Sequence, residues 1–187
     1  VMWLAEHCRK QGIPIRITCI DSDPRIVDFS RRRTREHGEI ESLQLSAFDF
    51  DRLGDFDFIF SNHFLHHFAD DEVAQLLEAV GRNTRLRFLM NDLRRAKWPY
   101  IGYRLFAALF LHRSFAGYDG ALSILRGFTP GELRALADRS SRPELMRVGT
   151  ALPGRVFVVG EGAGCAQGAG DCEVAERAGT SVEAGGR

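Results

Sequence analysis

A strand that leads through a polar turn into a helix, in residues 55–73, constrains the fold of this chain more than any other stretch. Phe56, Phe58 and Phe60 alternate with Asp57 and Ile59 along it. A compact aromatic-rich run of this kind is typical of a buried β-strand. The helix after it is expected to begin with a cap and an acidic first turn and to bury one apolar face; its residues are Asp70, Asp71 and Glu72, then Val73, Leu76, Leu77 and Val80.

The polar turn between this strand and its helix is the first candidate for a functional site. The strand ends at Ser61, Asn62 and His63, and the turn continues to His67. In an open α/β sheet, ligands bind at the carboxyl ends of the strands. Residues 61–67 are therefore predicted to lie at the mouth of a site.

Strand and helix patterns alternate through most of the remaining chain. A first helix ends near Gly12, and Asp23 with Pro24 predicts the start of a helix that runs to His37. The other strands of the core are expected at Ile13–Ile20, Ser42–Leu45 and Leu86–Met90. This order predicts an α/β domain with a mostly parallel sheet, whose strands end at Ile20, Leu45, Phe60 and Met90.

The alternation breaks in residues 94–128, which are rich in aromatic side chains and glycine. We expect a helix at about Tyr100–His112, then an irregular segment, together forming an insertion that covers the site as a lid. A capping box with proline at the first helical position, Thr129 to Glu132, opens another helix. Two last strands, Leu145–Val148 and Arg155–Val159, are linked too closely for a crossover and predict an antiparallel hairpin at one edge. Residues 1–160 are thus expected to form one domain, and the Gly-rich tail, 161–187, to be disordered.

Composition excludes several classes of protein. A formal net charge of zero argues against a protein that coats nucleic acid, so no nucleic-acid partner is expected. The four cysteines lack CxxC spacing, which favours a reducing cytoplasm over a disulfide-rich or zinc-knuckle protein. The most apolar stretch, residues 100–112, is too short to cross a bilayer and carries Arg104, so no membrane span is expected.

Two strand ends carry residues suited to a nucleotide-like cofactor. Asp21 follows the expected strand Ile13–Ile20, and its carboxylate can accept hydrogen bonds from both ribose hydroxyls of such a cofactor. An equal alternative is that Asp21 is an ordinary loop or capping acid. At the next strand end, Ser46 and Asp49 offer polar contacts and Phe48 offers an aromatic face for a purine.

The motifs ITCIDSDP, LSAFDFD, FDFIFSNHFLHHFADDEV and LRFLMNDLRR, closed by the hairpin, resemble class I S-adenosylmethionine-dependent methyltransferases of the small-molecule type. The resemblance extends from Val1 to about Gly160 and implies a Rossmann-like fold. It implies that Asp21 and Ser22 contact the ribose of the cofactor and that Ser46, Phe48 and Asp49 lie near its adenine. It also implies that Ser61, Asn62 and His63 lie along the methionine portion of the cofactor and the methyl acceptor.

The sequence departs from the family pattern in two places. The first strand and the Gly-rich turn of the family are absent and would precede Val1, so we expect an N-terminally incomplete domain that binds the cofactor weakly or not at all. The acid usually found near the adenine is also missing. Ser46 stands at its place, with Asp49 as a substitute.

Histidines supply the candidate general base. Methyl transfer from a sulfonium requires chiefly alignment, with a base where the acceptor loses a proton. His63, His66 and His112 are the candidates for that base. A zinc site formed by His63, His66 and His67 is a weaker hypothesis, because no carboxylate or thiol at suitable spacing completes a ligand set. No metal is therefore predicted.

The acceptor is expected to be a small aromatic or apolar molecule that is methylated at oxygen. Asp92, Tyr103, Phe106 and Tyr118 are the residues predicted to face it. Two alternatives from other classes stay open: a non-catalytic remnant whose exposed sheet edge pairs with another chain, and a dinucleotide-dependent oxidoreductase that uses Asp21. The terminal hairpin and the histidine-rich turn argue against the oxidoreductase.

Overall fold

A computed structural model describes residues 1–111 and 116–162 of the chain, with the side chain of Ala116 not described. The chain divides into two compact units, Val1–Gly54 and the part from Asp55 onward. Each unit contains its own β-sheet, and the two are described in turn.

The first unit is a short α/β unit with a two-stranded parallel sheet. Its elements are α1 (Met2–Lys10), β1 (Ile17–Asp21), α2 (Pro24–Thr34), β2 (Ile40–Gln44) and a 3-10 turn at Phe50–Leu53. The two strands pair in register from Ile17 opposite Ile40 to Asp21 opposite Gln44. The predicted cap of α2 is confirmed, since the Asp23 side chain accepts a hydrogen bond from the Arg25 N–H and Pro24 stands at the first helical position.

The second unit is a four-stranded mixed sheet with helices. Its elements are β3 (Phe56–Asn62), a 3-10 turn (Leu65–His67), α3 (Asp70–Asn83), β4 (Thr84–Leu93), α4 (Lys97–Phe110), α5 (Ala116–Arg126), α6 (Pro130–Ala137), a 3-10 turn (Pro143–Leu145), β5 (Met146–Ala151) and β6 (Arg155–Glu161). The strand order is β3-β4-β6-β5; β3 and β4 are parallel, and β6 is antiparallel to both β4 and β5. Helices α3 and α6 contact each other and this sheet, and the buried core includes Leu77, Phe88, Met90, Leu133, Val156 and Val158.

The single, mostly parallel sheet that was predicted is divided into two sheets in this structure, although each predicted strand exists. Strands β1 and β2 form a sheet of their own. Within residues 1–111 and 116–162, β1 pairs only with β2 and β3 pairs only with β4. The strand expected from Ile13 begins only at Ile17, where its parallel partner β2 becomes available. The terminal hairpin is confirmed, with β6 lying inside the sheet and β5 at its edge.

The aromatic strand β3 is confirmed as a strand, but it is not buried as predicted. Phe58 and Phe60 are 67% and 65% exposed. Because side chains alternate between the two faces of a strand, they share a face with their register partners Arg87 and Leu89. Ile59 points to the other face, opposite the fully buried Phe88.

Three local predictions have different outcomes. The capping box of α6 is confirmed: Thr129 Oγ1 accepts from Glu132 N–H at 3.3 Å, and Glu132 Oε2 accepts from Thr129 N–H at 2.9 Å. The acidic first turn of α3 is confirmed, and Glu72 accepts from the Ala69 N–H at 2.8 Å, but the N-cap position itself is occupied by Ala69 and not by an acid. The irregular part of the insertion is also wrong in part, because residues 116–126 form helix α5.

None of the helices in the described ranges is long and apolar enough to cross a bilayer. The predicted disordered tail lies outside the described residues from position 163 onward.

Two glycines in β5 and β6 make room for aromatic rings on the neighbouring strands. Gly160 lies opposite Phe88 of β4, and Gly149 of β5 lies opposite Phe157. A Cβ atom added at either glycine would overlap the ring of its partner. Phe88 is 1% exposed and packed on all sides, whereas Phe157 is only half-buried. The two pairs therefore differ in how far the ring can move aside.

We expect Gly160→Ala to lower the free energy of unfolding by about 2–3 kcal/mol, since overpacking a closed core site forces strain. Gly149→Ala is expected to cost about 1 kcal/mol or less, because the Phe157 ring can rotate toward solvent. Urea unfolding of both variants measures the difference, and a larger loss for Gly149→Ala would contradict this account.

Candidate functional site

The carboxyl ends of β3 and β4 meet at a buried pair formed by His66 and Asp92. Asp92 lies in β4 and is fully buried, because β4 is an inner strand with β3 on one side and β6 on the other. Its Oδ1 lies 2.6 Å from His66 Nδ1, and its Oδ2 accepts from the His66 backbone N–H at 2.9 Å. Oδ1 also accepts from the backbone N–H of Leu93 at 2.7 Å. The carboxylate thus holds both the backbone and the ring of His66.

The charge state of Asp92 fixes the tautomer of His66. Burial alone would raise the pKa of Asp92, but the hydrogen bonds from the His66 ring and from the Leu93 N–H outweigh it and lower the pKa below its ordinary value. An ionised carboxylate accepts only, so in the neutral ring Nδ1 carries the proton and Nε2 keeps its lone pair. The pair therefore has the arrangement of a base oriented by a carboxylate.

His63 is the first residue after β3 and adopts a left-handed backbone with φ 57°. Its N–H continues the ladder by donating to Asn91 O at 2.9 Å, and the Asn91 side chain donates to Asn62 Oδ1 at 2.7 Å. Burial lowers the pKa of His63, and the positive charge of Arg155 lowers it further. The exposed imidazole of His63 is therefore held neutral at the end of the strand.

His67 lies beside His66, and the centroids of their rings are 4.2 Å apart. Burial lowers the pKa of His67, with a smaller effect of His66 in the same direction. Helix α5 packs against this 3-10 turn, and the charges of Asp119 and Arg126 act on His67 from α5. The insertion therefore contacts the histidine-rich turn, as the lid prediction requires. His112, the third candidate base, lies outside the described residues.

The predicted cofactor residues of the first unit lie at the carboxyl ends of its two parallel strands. Asp21 ends β1, and its Oδ1 accepts from the Asp23 N–H at 2.8 Å, which orients the carboxylate and leaves it capacity for further donors. The backbone of Ser22 accepts a bond from the side chain of Gln44 at 3.3 Å, across the two strand ends.

After β2, the Oγ of Ser46 accepts from the Phe48 N–H at 3.2 Å, and the Phe48 ring is 41% exposed. Asp49 pairs with Arg52 at 2.9 Å. Both strand ends of the first unit thus present polar and aromatic groups, as predicted, and their contact with a cofactor stays a prediction.

The remaining predicted cofactor residues, Ser61, Asn62 and His63, lie in the second unit. The Ser61 hydroxyl donates to Met90 Sδ at 3.3 Å, so it is turned toward β4, whereas Asn62 and His63 are exposed.

The predicted acceptor residues do not share one environment. Asp92 was expected to face the acceptor at the end of a strand, but β4 continues to Leu93 and its carboxylate is fully buried. Tyr103 of α4 is half-buried, with its ring against Gly120 of α5, while Phe106 and Tyr118 are exposed. Their contact with an acceptor stays a prediction.

Sequence reasoning did not single out Asn91, whose backbone carbonyl accepts from the His63 N–H, or Arg155, whose charge acts on His63. Asn91 adjoins a predicted candidate, and its position at a strand end could have marked it. Arg155 could not have been found, because only the antiparallel register of β6 brings residue 155 beside residue 93 of β4. Within residues 1–111 and 116–162, no group of three or more His, Cys, Asp or Glu side chains is placed to hold a metal.

Comparisons with known proteins connect this geometry to a family. The family described as a methyltransferase domain matches residues 2–86, which include both strand ends of the first unit and the histidine-rich turn. The comparison with curated proteins gave no match.

Several solved structures share the fold at low sequence identity. An O-methyltransferase family protein from Burkholderia thailandensis is 16% identical with a TM-score of 0.54, over 86% of this chain and 47% of that one. A magnesium protoporphyrin IX methyltransferase from Synechocystis PCC 6803, solved with bound S-adenosylhomocysteine, is 10% identical with a TM-score of 0.52, over 82% and 66%. A protein from Rhodobacter sphaeroides described as a Zn-dependent alcohol dehydrogenase is 13% identical with a TM-score of 0.55, over 84% and 79%. At these identities the likeness shows the fold alone, and the chain spans less than half of the Burkholderia protein.

Asp92→Asn is expected to lower the free energy of unfolding at pH 7 by about 2–4 kcal/mol, because an amide nitrogen cannot accept from the buried N–H groups around it. Asp71→Asn is the matched control, since Asp71 pairs with Arg139 while its side chain is 81% exposed, and should change stability by about 0.5 kcal/mol or less. Urea unfolding measures both variants, and equal losses would contradict the assigned role of Asp92.

The same variant has a defined pH dependence. The pKa of Asp92 is lower in the folded state than its unfolded value of about 3.9, so its ionisation stabilises the fold fully above that value. That contribution is lost as the pH falls through the lower, folded pKa. The difference in free energy of unfolding between Asp92→Asn and the unsubstituted chain should therefore become smaller as the pH falls. A difference that grows in acid would contradict the assignment of an ionised carboxylate to Asp92.

Proposed function

We propose that the chain is an S-adenosylmethionine-dependent methyltransferase that transfers a methyl group to a hydroxyl oxygen of a small aromatic or apolar molecule, since the family described as a methyltransferase domain matches residues 2–86. The observation that carries the proposal is the buried His66–Asp92 pair at the carboxyl ends of β3 and β4. A cytoplasmic location, expected from the cysteine spacing, goes with this proposal.

The residues present fit S-adenosylmethionine at the end of β1. A diol needs a carboxylate with free lone pairs, and Asp21 is oriented by the Asp23 N–H while keeping such capacity. Ser46 and the exposed ring of Phe48 follow the neighbouring strand, where a purine would find a polar contact and an aromatic face. The name of the Synechocystis enzyme structure, with its bound S-adenosylhomocysteine, supports this cofactor for the fold.

When bound, the cofactor supplies an electrophilic methyl group on a sulfonium sulfur. His66 is the base that we assign to the acceptor hydroxyl, since its Nε2 keeps a lone pair and Asp92 stabilises the imidazolium that forms. The Nε2 atom of His66 would take up the hydroxyl proton as the acceptor oxygen is methylated. His63, which is neutral and exposed, is the second candidate for this role.

Helix α5 is the part of the insertion that we propose as the lid. The side chain of His66 is 3% exposed, and α5 packs against the turn that carries it. Movement of α5 would admit an acceptor to the ring, and its return would exclude water during transfer.

Asp21→Ala is expected to weaken S-adenosylhomocysteine binding about tenfold, through lost hydrogen bonds to the ribose hydroxyls. Asp28→Ala is the matched control, because Asp28 lies exposed on α2 and forms only a surface pair with Arg31 at 3.6 Å. Ligand-observed NMR titration detects binding even in the millimolar range. An unchanged affinity in Asp21→Ala would contradict the assignment.

His66→Gln is expected to lower methyl transfer to a phenolic acceptor by about 100-fold or more, because general-base catalysis contributes on the order of 10²–10⁴. His67→Gln removes the neighbouring exposed imidazole and should retain most of the activity. Transfer of labelled methyl groups to a panel of phenols measures both. Cofactor affinity, determined in parallel, should stay unchanged in His66→Gln. If methyl transfer is lost in His63→Gln but not in His66→Gln, His63 is the base instead.

A further inference from the structure

The guanidinium of Arg155 has a buried donor without a partner. Arg155 begins β6 and is half-buried, and its Nη1 atom is shielded from solvent with no hydrogen-bond acceptor in reach. Among the described residues, no carboxylate forms a salt bridge with Arg155, whereas six other arginines of the second unit pair with an acid. An arginine stays charged at all physiological pH values, and an unpaired buried N–H is costly. The Arg155 guanidinium therefore has no anionic partner of its own among the described residues.

The register of the sheet places this cation at the carboxyl end of β4, on the face that Asp92 does not share. Arg155 lies opposite Leu93, one position beyond Asp92, so it is at the carboxyl end of β4. Since side chains alternate along a strand, Arg155 and Asn91 lie on one face of the sheet. The parallel register adds Asn62 to that face, and His63 follows it directly. The charge of Arg155 reaches His63, whose pKa it lowers.

The indole of Trp98 lies near the turn that precedes Arg155. The hairpin turn before Arg155 packs against the start of α4: a Cβ on Gly154 would lie 2.9 Å from Pro99 and 3.9 Å from the Trp98 ring. Gly154 also accepts from the Arg94 N–H at 2.9 Å, which fixes the turn to the end of β4. Trp98 itself is 47% exposed and so retains surface for a ligand. A cation, two amides and an indole therefore border one end of the sheet.

From this juxtaposition we propose that the methyl acceptor is a hydroxylated aromatic carboxylic acid, whose carboxylate pairs with Arg155 and whose ring lies near Trp98. That this acid accepts the methyl group rests on the proposed function, whereas binding of its carboxylate by Arg155 does not depend on methyl transfer. Arginine binds carboxylates through paired N–H donors, and no carboxylate among the described residues occupies those of Arg155. The amides of Asn62 and Asn91, already bonded to each other, supply polar contacts beside His63.

The test compares 4-hydroxybenzoate with its methyl ester, which keeps the ring and the phenol and loses the charge. Binding is measured by ligand-observed NMR on the 187-residue chain without cofactor, so that it is independent of methyl transfer. We expect the acid to bind the unsubstituted chain at least tenfold more tightly than the ester. Arg155→Gln should abolish that preference, and Arg155→Lys should retain part of it.

Arg147→Gln is the matched control, because Arg147 lies exposed on β5 of the same sheet, beside the same strand β6. It should leave the preference for the acid intact. Melting temperatures show whether each variant is folded, and the acid should raise the melting temperature of the unsubstituted chain but not that of Arg155→Gln.

Equal or absent binding of the acid and the ester by the unsubstituted chain would overturn the proposal, as would a preference that survives in folded Arg155→Gln. Methyl transfer to neutral phenols without a carboxylate preference would uphold the proposed function and reject this inference. Carboxylate binding through Arg155 without methyl transfer would uphold the recognition of the carboxylate and reject the proposed function.

Discussion

The carboxylate of Asp92 is the group on which the organisation of the second unit depends. Placing a charge inside a sheet is costly, and it is tolerated here because three donors, two of them from His66, converge on the two oxygens. The same bonds tie the turn after β3 to the carboxyl end of β4. One interaction thus closes the strand end, orients an imidazole and leaves its second nitrogen basic. Stability and chemistry are coupled at this position, so neither can change alone.

The antiparallel strand β6 gives this end of the sheet its second set of groups. A parallel strand beside β4 would present its own carboxyl end there, whereas β6 presents its first residues, Arg155 and Phe157. Glycines at 149 and 160 let the Phe157 and Phe88 rings lie across neighbouring strands, which brings the three strands together without steric overlap. The hairpin therefore contributes a cation whose charge acts on His63, in addition to closing the core.

The kinds and order of the secondary-structure elements could be predicted from the sequence, because they depend on local patterns. The strands at Phe56 and Arg155, the proline-capped helices and the terminal hairpin follow from periodicity and capping chemistry. Errors arose where a distant partner decides the outcome. The length of β4, the separation of β1 and β2 into their own sheet and the exposure of Phe58 and Phe60 depend on which strand lies alongside, and no local pattern contains that information.

For the site, the sequence by itself determined which chemistry was available: an acid at the end of β1, histidines after β3 and an acid near the end of β4. The tertiary structure alone decided which of these groups meet. His66 and Asp92 are 26 positions apart and were candidates for separate roles, yet strand pairing makes them one hydrogen-bonded unit. Arg155 carried no signal at all, since a charged residue at the start of a strand is ordinary until its register is known. Residue type fixes what a side chain can donate or accept, whereas burial and distance fix what it does, and both are properties of the folded chain.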